Sequence, residues 1–333
     1  VLVTLCTIRQ LPQALALGDS FSKQTSGAGS SQVVIGLADD PAHLPAGFQS
    51  PYPLFPLSEV LSSEKLASLS ARYTPTEFAA ACKPAFLQEI VRRYPQADTL
   101  VYADPNICFL GSTTPIFEKL REANLLLTPF ITQAPADRRW PDEKFFQNVG
   151  LYSSDFMAFR RSTETDRFLA WWQDRVEPRA NIAFCEGLCT DQLWLMHVPV
   201  FFLGVDVVKD PAWHVALWNL PHRTLRLEAT GWKLADSGRP LLFANVKGLY
   251  NPDEGYFPNQ NRLSLSNRPD VGALMTSYRQ ALAPVNASAL TMVRPAYGEH
   301  PEPVVLRGWR RATVQSLRAV TRFLDELPLP VLR

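Results

Sequence analysis

The chain has 333 residues, 46% of them hydrophobic and 20% charged, and a formal net charge of +1. That length suits one large α/β domain or two modest ones, and the near-neutral balance excludes a general affinity for nucleic acid, which needs a strong basic excess or a concentrated patch. No run of about 18 uncharged apolar residues occurs, so no bilayer-spanning segment is expected. The five cysteines (Cys6, Cys82, Cys108, Cys185 and Cys189) are scattered and odd in number, which suits reduced thiols and a cytoplasmic location better than a disulfide framework. Cys185 and Cys189 have no nearby His or second Cys pair, so no zinc site is expected.

In chain order, Val1 to Cys6 reads as a buried first strand with no basic leader before it. Gln13 to Phe21 has helical spacing, and Gln32 to Leu37 is a second strand ending in Asp39-Asp40-Pro41. Strand, helix and strand at this spacing predict a βαβ unit and a parallel sheet, with the Gly/Ser-rich Gln24 to Ser31 as the intervening loop. Pro51 to Pro56 has room for one short edge strand. Helices are expected over Ser62 to Arg72 and Thr76 to Tyr94, the second kinked or split at Pro84.

Thr99 to Asn106 is the stretch around which the rest is organised. An apolar run ends abruptly in an acid, a proline and an amide, as a buried strand delivering polar groups at its carboxyl end, where open α/β sheets bind ligands. An acid in that place holds either a divalent cation or a ribose hydroxyl against a diphosphate. Read alone, Asp104-Pro105-Asn106 more often makes a turn or caps a helix.

Beyond it, Pro115 to Glu122 is a helix, Asn124 to Phe130 a strand, and Ile131 to Gln147 a mobile loop over a site. Leu151 to Arg160 alternates as a strand, which leaves Asp155 either facing solvent or facing a ligand. Thr163 to Val176 is amphipathic, with Phe168, Trp171 and Trp172 assigned to the core. Thr190 or Asp191 is expected to cap an apolar helix over Leu193 to Val198. Strands follow at Phe201 to Val208, Arg223 to Glu228 and Leu241 to Val246, then a helix from Asp270 to Leu282. Asn286-Ala287-Ser288 fits a glycosylation sequon but carries no weight without a secretory signal.

The chain is thus divided into a domain over 1–283, a linker over 284–303 and an Arg-rich terminal helix over 304–333. Trp309, Leu317, Val320, Phe323 and Leu324 of that helix alternate with Arg307, Arg310, Arg311, Arg318 and Arg322. Such a helix rests on an anionic membrane surface, packs on a partner, or closes the domain with a solvated Arg face.

Several segments in order resemble one family. Tyr73-Thr74-Pro75-Thr76-Glu77-Phe78 followed by Lys83-Pro84-Ala85-Phe86-Leu87 looks like the helix before the metal strand of the GT-A glycosyltransferases, in a bacterial group allied to the glycogenin-like retaining enzymes. Val101 to Ile107 looks like that group's Tyr-Leu-Asp-Pro-Asp-Ile signature, the DxD motif. Gly150 to Phe156 sits where the group has a Tyr-Asn-x-Gly-Phe strand, and Gly187 to Trp194 and His214 to Leu220 also match its segments. The likeness covers roughly Val1 to Leu282.

The resemblance implies a GT-A type, Rossmann-like, mixed but mostly parallel sheet flanked by helices. It implies a nucleotide-sugar donor, a UDP-sugar favoured, and transfer with retention to a glycan or lipid-linked acceptor, as in polysaccharide biosynthesis. Thr7, Lys83, Asp104, Asn106 and Lys247 would line the donor site, while Asp191 and Gln192, with Asp155, would act at the transferred sugar. Mn²⁺ or Mg²⁺, weakly held, would sit on Asp104, Asn106 and Asn245. A location in the cytoplasm, free or peripheral to the inner membrane, goes with it.

Three departures bear on mechanism. Asn106 replaces the last DxD carboxylate, Asn245 stands where the group has a metal-ligating His, and Asp155 replaces a glycine. Neutral amides hold Mg²⁺ or Mn²⁺ more weakly than the groups they replace, while the same segment gains a cation, Lys247, able to neutralise a diphosphate as a point charge. Two other readings stay open: a non-catalytic protein of the same fold that binds nucleotide-sugar or glycan or acts as a scaffold, and a nucleotidyltransferase, which would want a Gly-rich basic phosphate loop where only Arg9 stands.

Overall fold

The computed structural model describes residues 1–25, 32–283 and 287–327. Part of the expected Gly/Ser loop (residues 26–31), the sequon asparagine Asn286 and residues 328–333 lie outside the described residues.

The first strand β1 (Leu2–Cys6) leads into helix α1 (Leu11–Gln24), then β2 (Val33–Leu37) and the short edge strand β3 (Leu54–Pro56). Helices α2 (Ser63–Ser70) and α3 (Pro75–Arg93) precede β4 (Thr99–Ala103) and β5 (Ile107–Phe109). Then come α4 (Thr114–Leu120), β6 (Leu125–Pro129), α5 (Glu143–Val149), β7 (Tyr152–Arg160) and α6 (Thr163–Val176). The remainder is shorter: β8 (Ile182–Ala183), β9 (Leu188–Cys189), α7 (Val198–Phe201), β10 (Val205–Val207), β11 (His214–Ala216), β12 (Leu225–Glu228), β13 (Gly231–Leu234), β14 (Phe243–Asn245), α8 (Pro269–Leu282), α9 (Ala287–Thr291) and α10 (Gly308–Glu326).

Seven strands form the central sheet in the order β10-β6-β7-β4-β1-β2-β3. β7 runs antiparallel to both β6 and β4, and every other pairing is parallel. Both faces are covered, which is why β1, β2, β4 and β6 read as continuous apolar runs. On one face α2, α3 and α6 bring Leu66, Phe86, Ile90, Phe168 and Trp172 against Val3, Tyr102, Leu127 and Met157. On the other, Leu17, Phe21, Ile116 and Leu120 cover Leu2, Val101, Leu126 and Ala158. The mixed, mostly parallel α/β sheet expected from the sequence is therefore present. Its order reverses between β1 and β4, so the ligand-binding crevice of such a sheet lies beyond Cys6 and Ala103.

Several local expectations give way to tertiary packing. α3 runs unbroken through Pro84, because the buried Phe78, Phe86, Leu87 and Ile90 hold it on the sheet. The segment 131–147 is tied to the turn at Asn261 and Arg262: Asn261 Oδ1 accepts from Trp140 N at 2.8 Å, and Arg262 donates to the carbonyls of Pro141 (3.1 Å) and Arg139 (2.6 Å). Its second half is α5, and Trp140 packs on Phe145 and Phe257. Neither Thr190 nor Asp191 caps the next element, a 3-10 turn over Leu193–His197, because both side chains are held elsewhere. Phe201 ends that helical stretch and Phe202 caps it, leaving only β10 of the longer strand expected there.

The end of the expected linker is tied to the body: Asp39 Oδ1 accepts from Ala296 N at 2.6 Å, Ser70 O from Glu299 N at 2.9 Å and Tyr73 O from His300 N at 3.1 Å. α10 has no buried residue. No helix among the described residues is long and apolar enough to cross a membrane.

Gly36 in β2 faces α3 where a Cβ would come within 2.5 Å of Phe86 Cζ and 2.8 Å of Leu5 Cδ1. Gly36→Ala is expected to cost about 1–3 kcal/mol through overpacking. Urea unfolding measures it, and an unchanged midpoint would show that α3 is not seated on β2 as described.

Candidate active site

The site is assembled by an irregularity in β7. Pairing with β6 jumps from Leu127↔Met157 to Thr128↔Ser153, so Ser154, Asp155 and Phe156 face no residue of β6. A bulge of this kind re-aims side chains next to active sites. Asp155 O accepts from Asp104 N at 2.7 Å, which joins the bulge to the carboxyl end of β4. Ser154 and Asp155 then reach two different sets of partners.

Asp155 is one centre. Its Oδ1 accepts from Lys247 Nζ at 2.6 Å and its Oδ2 from Asn245 Nδ2 at 2.7 Å, while Lys247 Nζ also lies 3.2 Å from Asp104 Oδ2. β14 places these groups: it pairs antiparallel with β5, setting Asn245 opposite Ile107, and Asn106 O accepts from Val246 N at 2.9 Å. Burial works to raise both carboxyls. At Asp155 the charge of Lys247 outweighs it and holds the group below the ordinary carboxylate range, whereas Asp104, farther from the ammonium, stays raised. Burial opposes the charge on Lys247, but Asp104 and Asp155 hold it well above the usual lysine range.

β11 supplies a neutral imidazole behind this cluster. Burial lowers His214 to about 3; its Nε2 lies 3.3 Å from Asn245 Nδ2 and its Nδ1 2.8 Å from Thr128 Oγ1. With Nε2 as acceptor, the proton belongs on Nδ1. The imidazole thereby fixes the Asn245 amide with its nitrogen toward Asp155, and Asn245 Oδ1 accepts from Lys247 N at 3.0 Å.

The Asn106 amide donates to Asp104 Oδ1 at 3.1 Å and to Glu254 Oε1 at 3.0 Å, and its oxygen accepts from Gln13 Nε2 at 2.8 Å. Glu254, raised by burial, is a site residue that the sequence did not flag. It sits in a polar Asn251-Pro252-Asp253-Glu254-Gly255 turn like many others, and its partner is 148 residues away. Gly255, at φ +84°, lets that turn lie on the lysine stem, since a Cβ there would be 3.1 Å from Lys247 Cγ.

Lys83 and Asp191 are the second centre. They form a buried ion pair, with side-chain exposures of 8% and 3%. Ser154 Oγ donates to Asp191 Oδ1 at 3.0 Å, Lys83 Nζ lies 3.4 Å from Ser154 O, and the ammonium stands 4.8 Å over the Tyr102 ring. Asp191 O accepts from Trp172 Nε1 at 2.9 Å. The preceding Thr190 adopts φ +47°, rare for a β-branched residue, and its hydroxyl meets Tyr256 OH at 2.8 Å. Strain of this sort costs about 1–3 kcal/mol and persists where the surroundings over-determine it.

Of the sequence-predicted residues, Asp104, Asn106, Asp155, Asn245 and Lys247 are brought into one network, and the charge of Lys83 reaches both acids. Asp155 is 5% exposed, so its solvent-facing reading fails. Gln192 is buried beside Asp191, and its amide nitrogen donates to Val149 O at 2.9 Å. Thr7 follows β1 at the crevice, within 3.3 Å of Gln10 Oε1.

The proposed metal residues fit a divalent ion poorly. Lys247 occupies the space between Asp104 and Asp155, and both asparagine oxygens already accept hydrogen bonds. Among the described residues no group of three or more His, Cys, Asp or Glu is arranged to hold one.

No family model matches the chain. Two curated relatives, both from Bacillus subtilis, are the uncharacterised proteins YfnF, 26% identical over 192 residues (56% of this chain, 62% of the relative), and YfnD, 27% identical over 206 residues (58% and 60%). The chain thus spans about three fifths of the length of these relatives. Among solved structures it is similar to the galactosyltransferase LgtC in complex with donor and acceptor sugar analogues (12% identity, 86% of this chain and 96% of that one, TM-score 0.46). It is also similar to a glycosyltransferase involved in glycosylation of the major capsid of PBCV-1 (8%, 74% and 93%, 0.39) and to mouse xyloside xylosyltransferase 1 (12%, 65% and 87%, 0.36). At these identities and scores the likenesses decide nothing about activity.

Breaking the buried Lys83–Asp191 pair from one side leaves an uncompensated charge. Lys83→Met is expected to cost about 3–5 kcal/mol, and the double change Lys83→Met with Asp191→Leu to recover at least half of it. Urea melts of both variants check this; a single variant as stable as the parent would remove the pair from the site.

Proposed function

We propose that the chain is a glycosyltransferase of the GT-A type, moving a sugar from a nucleoside diphosphate donor, a UDP-sugar favoured, to a glycan or lipid-linked acceptor with retention of configuration. The observation that carries this reading is the buried Asp104–Lys247–Asp155 bridge at the carboxyl end of β4, where the strand order reverses, with Lys83–Asp191 beside it. A core of this size has no structural need for five charged side chains around the carboxyl end of one central strand. A site that must bind an anionic leaving group and stabilise a cationic sugar has a use for both signs of charge, fixed in advance in a dry setting.

In the proposed roles, Thr7 and the end of β1 lie along the base and ribose. Asp104, oriented by Asn106, takes ribose hydroxyls, and Lys247 meets the diphosphate. Asp191 places a carboxylate beside the transferred sugar, and Lys83 and Ser154 orient it. Gln192 contributes by tying its turn to the end of α5.

Calorimetric titration of UDP, GDP and their common sugar conjugates into the full chain, followed by a coupled assay for released nucleoside diphosphate, tests the reading. Selective binding of one base with slow donor hydrolysis is expected. Binding without turnover in the presence of candidate glycan acceptors would move the chain to the non-catalytic nucleotide-sugar-binding alternative, and absence of binding would move it to the glycan-binding or scaffold one.

The lipid-linked class of acceptor is supported by α10, where Trp309, Leu317, Val320, Phe323 and Leu324 are all more than half exposed and interleaved with arginines. We expect the chain to co-sediment with phosphatidylglycerol vesicles and not with phosphatidylcholine vesicles, and Arg310, Arg311 and Arg318 changed together to Glu to abolish this. Equal partitioning to both would count against an electrostatic surface contact.

A further inference from the structure

We infer that the Lys247 ammonium is a built-in cation at the donor's diphosphate and stands where a divalent ion would have to bind, so that nucleotide binding proceeds without metal. This rests on the donor-site reading above and goes beyond it by giving the place of a divalent ion to the lysine.

The geometry is specific. Asp104 and Asp155 are the two carboxylates that converge beyond β4, and Nζ of Lys247 lies between them, 3.2 Å from one and 2.6 Å from the other. A divalent ion held by both carboxylates at about 2.0–2.2 Å would overlap that nitrogen. Three of the other oxygens nearby already accept hydrogen bonds. Asn106 Oδ1 accepts from Gln13, Asn245 Oδ1 accepts from Lys247 N, and Glu254 Oε1 accepts from Asn106. His214, the nearest imidazole, turns Nε2 toward the Asn245 amide and Nδ1 toward Thr128.

The lysine is also held in place. Its stem lies under Gly255, and its backbone N–H is tied to the Asn245 side chain, itself fixed by Asp155 and His214. An ammonium has three N–H donors. Asp104 and Asp155 take two, leaving one for an anionic oxygen in a charge-assisted hydrogen bond. The two asparagines fit the same arrangement: a neutral amide beside a fixed ammonium adds no charge, and each amide here donates to a carboxylate.

Two readouts test this on the full chain. In the first, Mn²⁺ alone is titrated into the protein and free ion is followed by electron paramagnetic resonance, with no nucleotide present. The parent chain is expected to show no tight site, and Lys247→Met, which keeps most of the stem and frees both carboxylates, to bind Mn²⁺ at least about tenfold more tightly. In the second, UDP is titrated with Mn²⁺ and then with excess chelator. The parent affinity is expected to change by less than about twofold, whereas Lys247→Met should lose about tenfold or more in chelator and recover with Mn²⁺. Lys247→Gln serves if the methionine variant fails to fold.

Tight Mn²⁺ binding by the parent chain, or UDP binding only in the presence of Mn²⁺, overturns the inference. So does a Lys247 variant that gains no ion. If UDP binds under no condition, the donor reading has failed, and the Mn²⁺ titration still decides whether Lys247 fills the cation's place.

Discussion

Charge buried in a sheet that is covered on both faces must meet opposite charge or a full set of hydrogen bonds, and this constraint shapes the carboxyl end of β4. An unpaired carboxylate there would be strongly destabilising or would take up a proton. Three aspartates, Asp104, Asp155 and Asp191, lie in or beside this buried region, and two lysines answer them. The bulge in β7 makes that possible. By releasing Ser154 to Phe156 from β6, it lets Ser154 join Lys83 and Asp191 while Asp155 joins Lys247 and Asn245. A regular strand would have sent alternate residues to alternate faces and left one of these groups without its partner.

The long-range character of these contacts explains which parts were legible in the sequence. Strands β1, β2, β4 and β6 announced themselves as apolar runs, and α6 matched its expected bounds, Thr163–Val176, because its amphipathic period is strong. Asp104 was visible as the polar end of an apolar strand. The bulge was not, since Leu151 to Arg160 alternates well enough to pass for a regular strand. Nor was Glu254, whose turn composition says nothing about Asn106. β5 and β11 have only three residues each, too few for a periodic signal, yet they position Asn245 and His214. Pro84 misled in the other direction: a local rule for helix breaking lost to the packing of both flanks of α3.

The two asparagines that looked in sequence like weakened metal ligands have definite work in the structure. Asn245 joins Asp155 to His214, and Asn106 joins Asp104 to Glu254 and Gln13. Both orient carboxylates through N–H donors, a task a carboxylate in their place would do badly because it would add like charge to the cluster. The departures therefore form a set with Lys247, and each is intelligible only with the others. Decay of a site would more readily leave orphaned buried groups than a closed network of this kind.

The most direct test is a crystal structure of the full chain grown with UDP and Mn²⁺, with anomalous scattering used to locate manganese. The diphosphate is expected beyond β1 and β4 with an oxygen within hydrogen-bonding distance of Lys247 Nζ, and no manganese between Asp104 and Asp155. Manganese bridging those carboxylates and the diphosphate, with Lys247 displaced, would contradict the role given to the lysine, and nucleotide bound elsewhere would contradict the site itself.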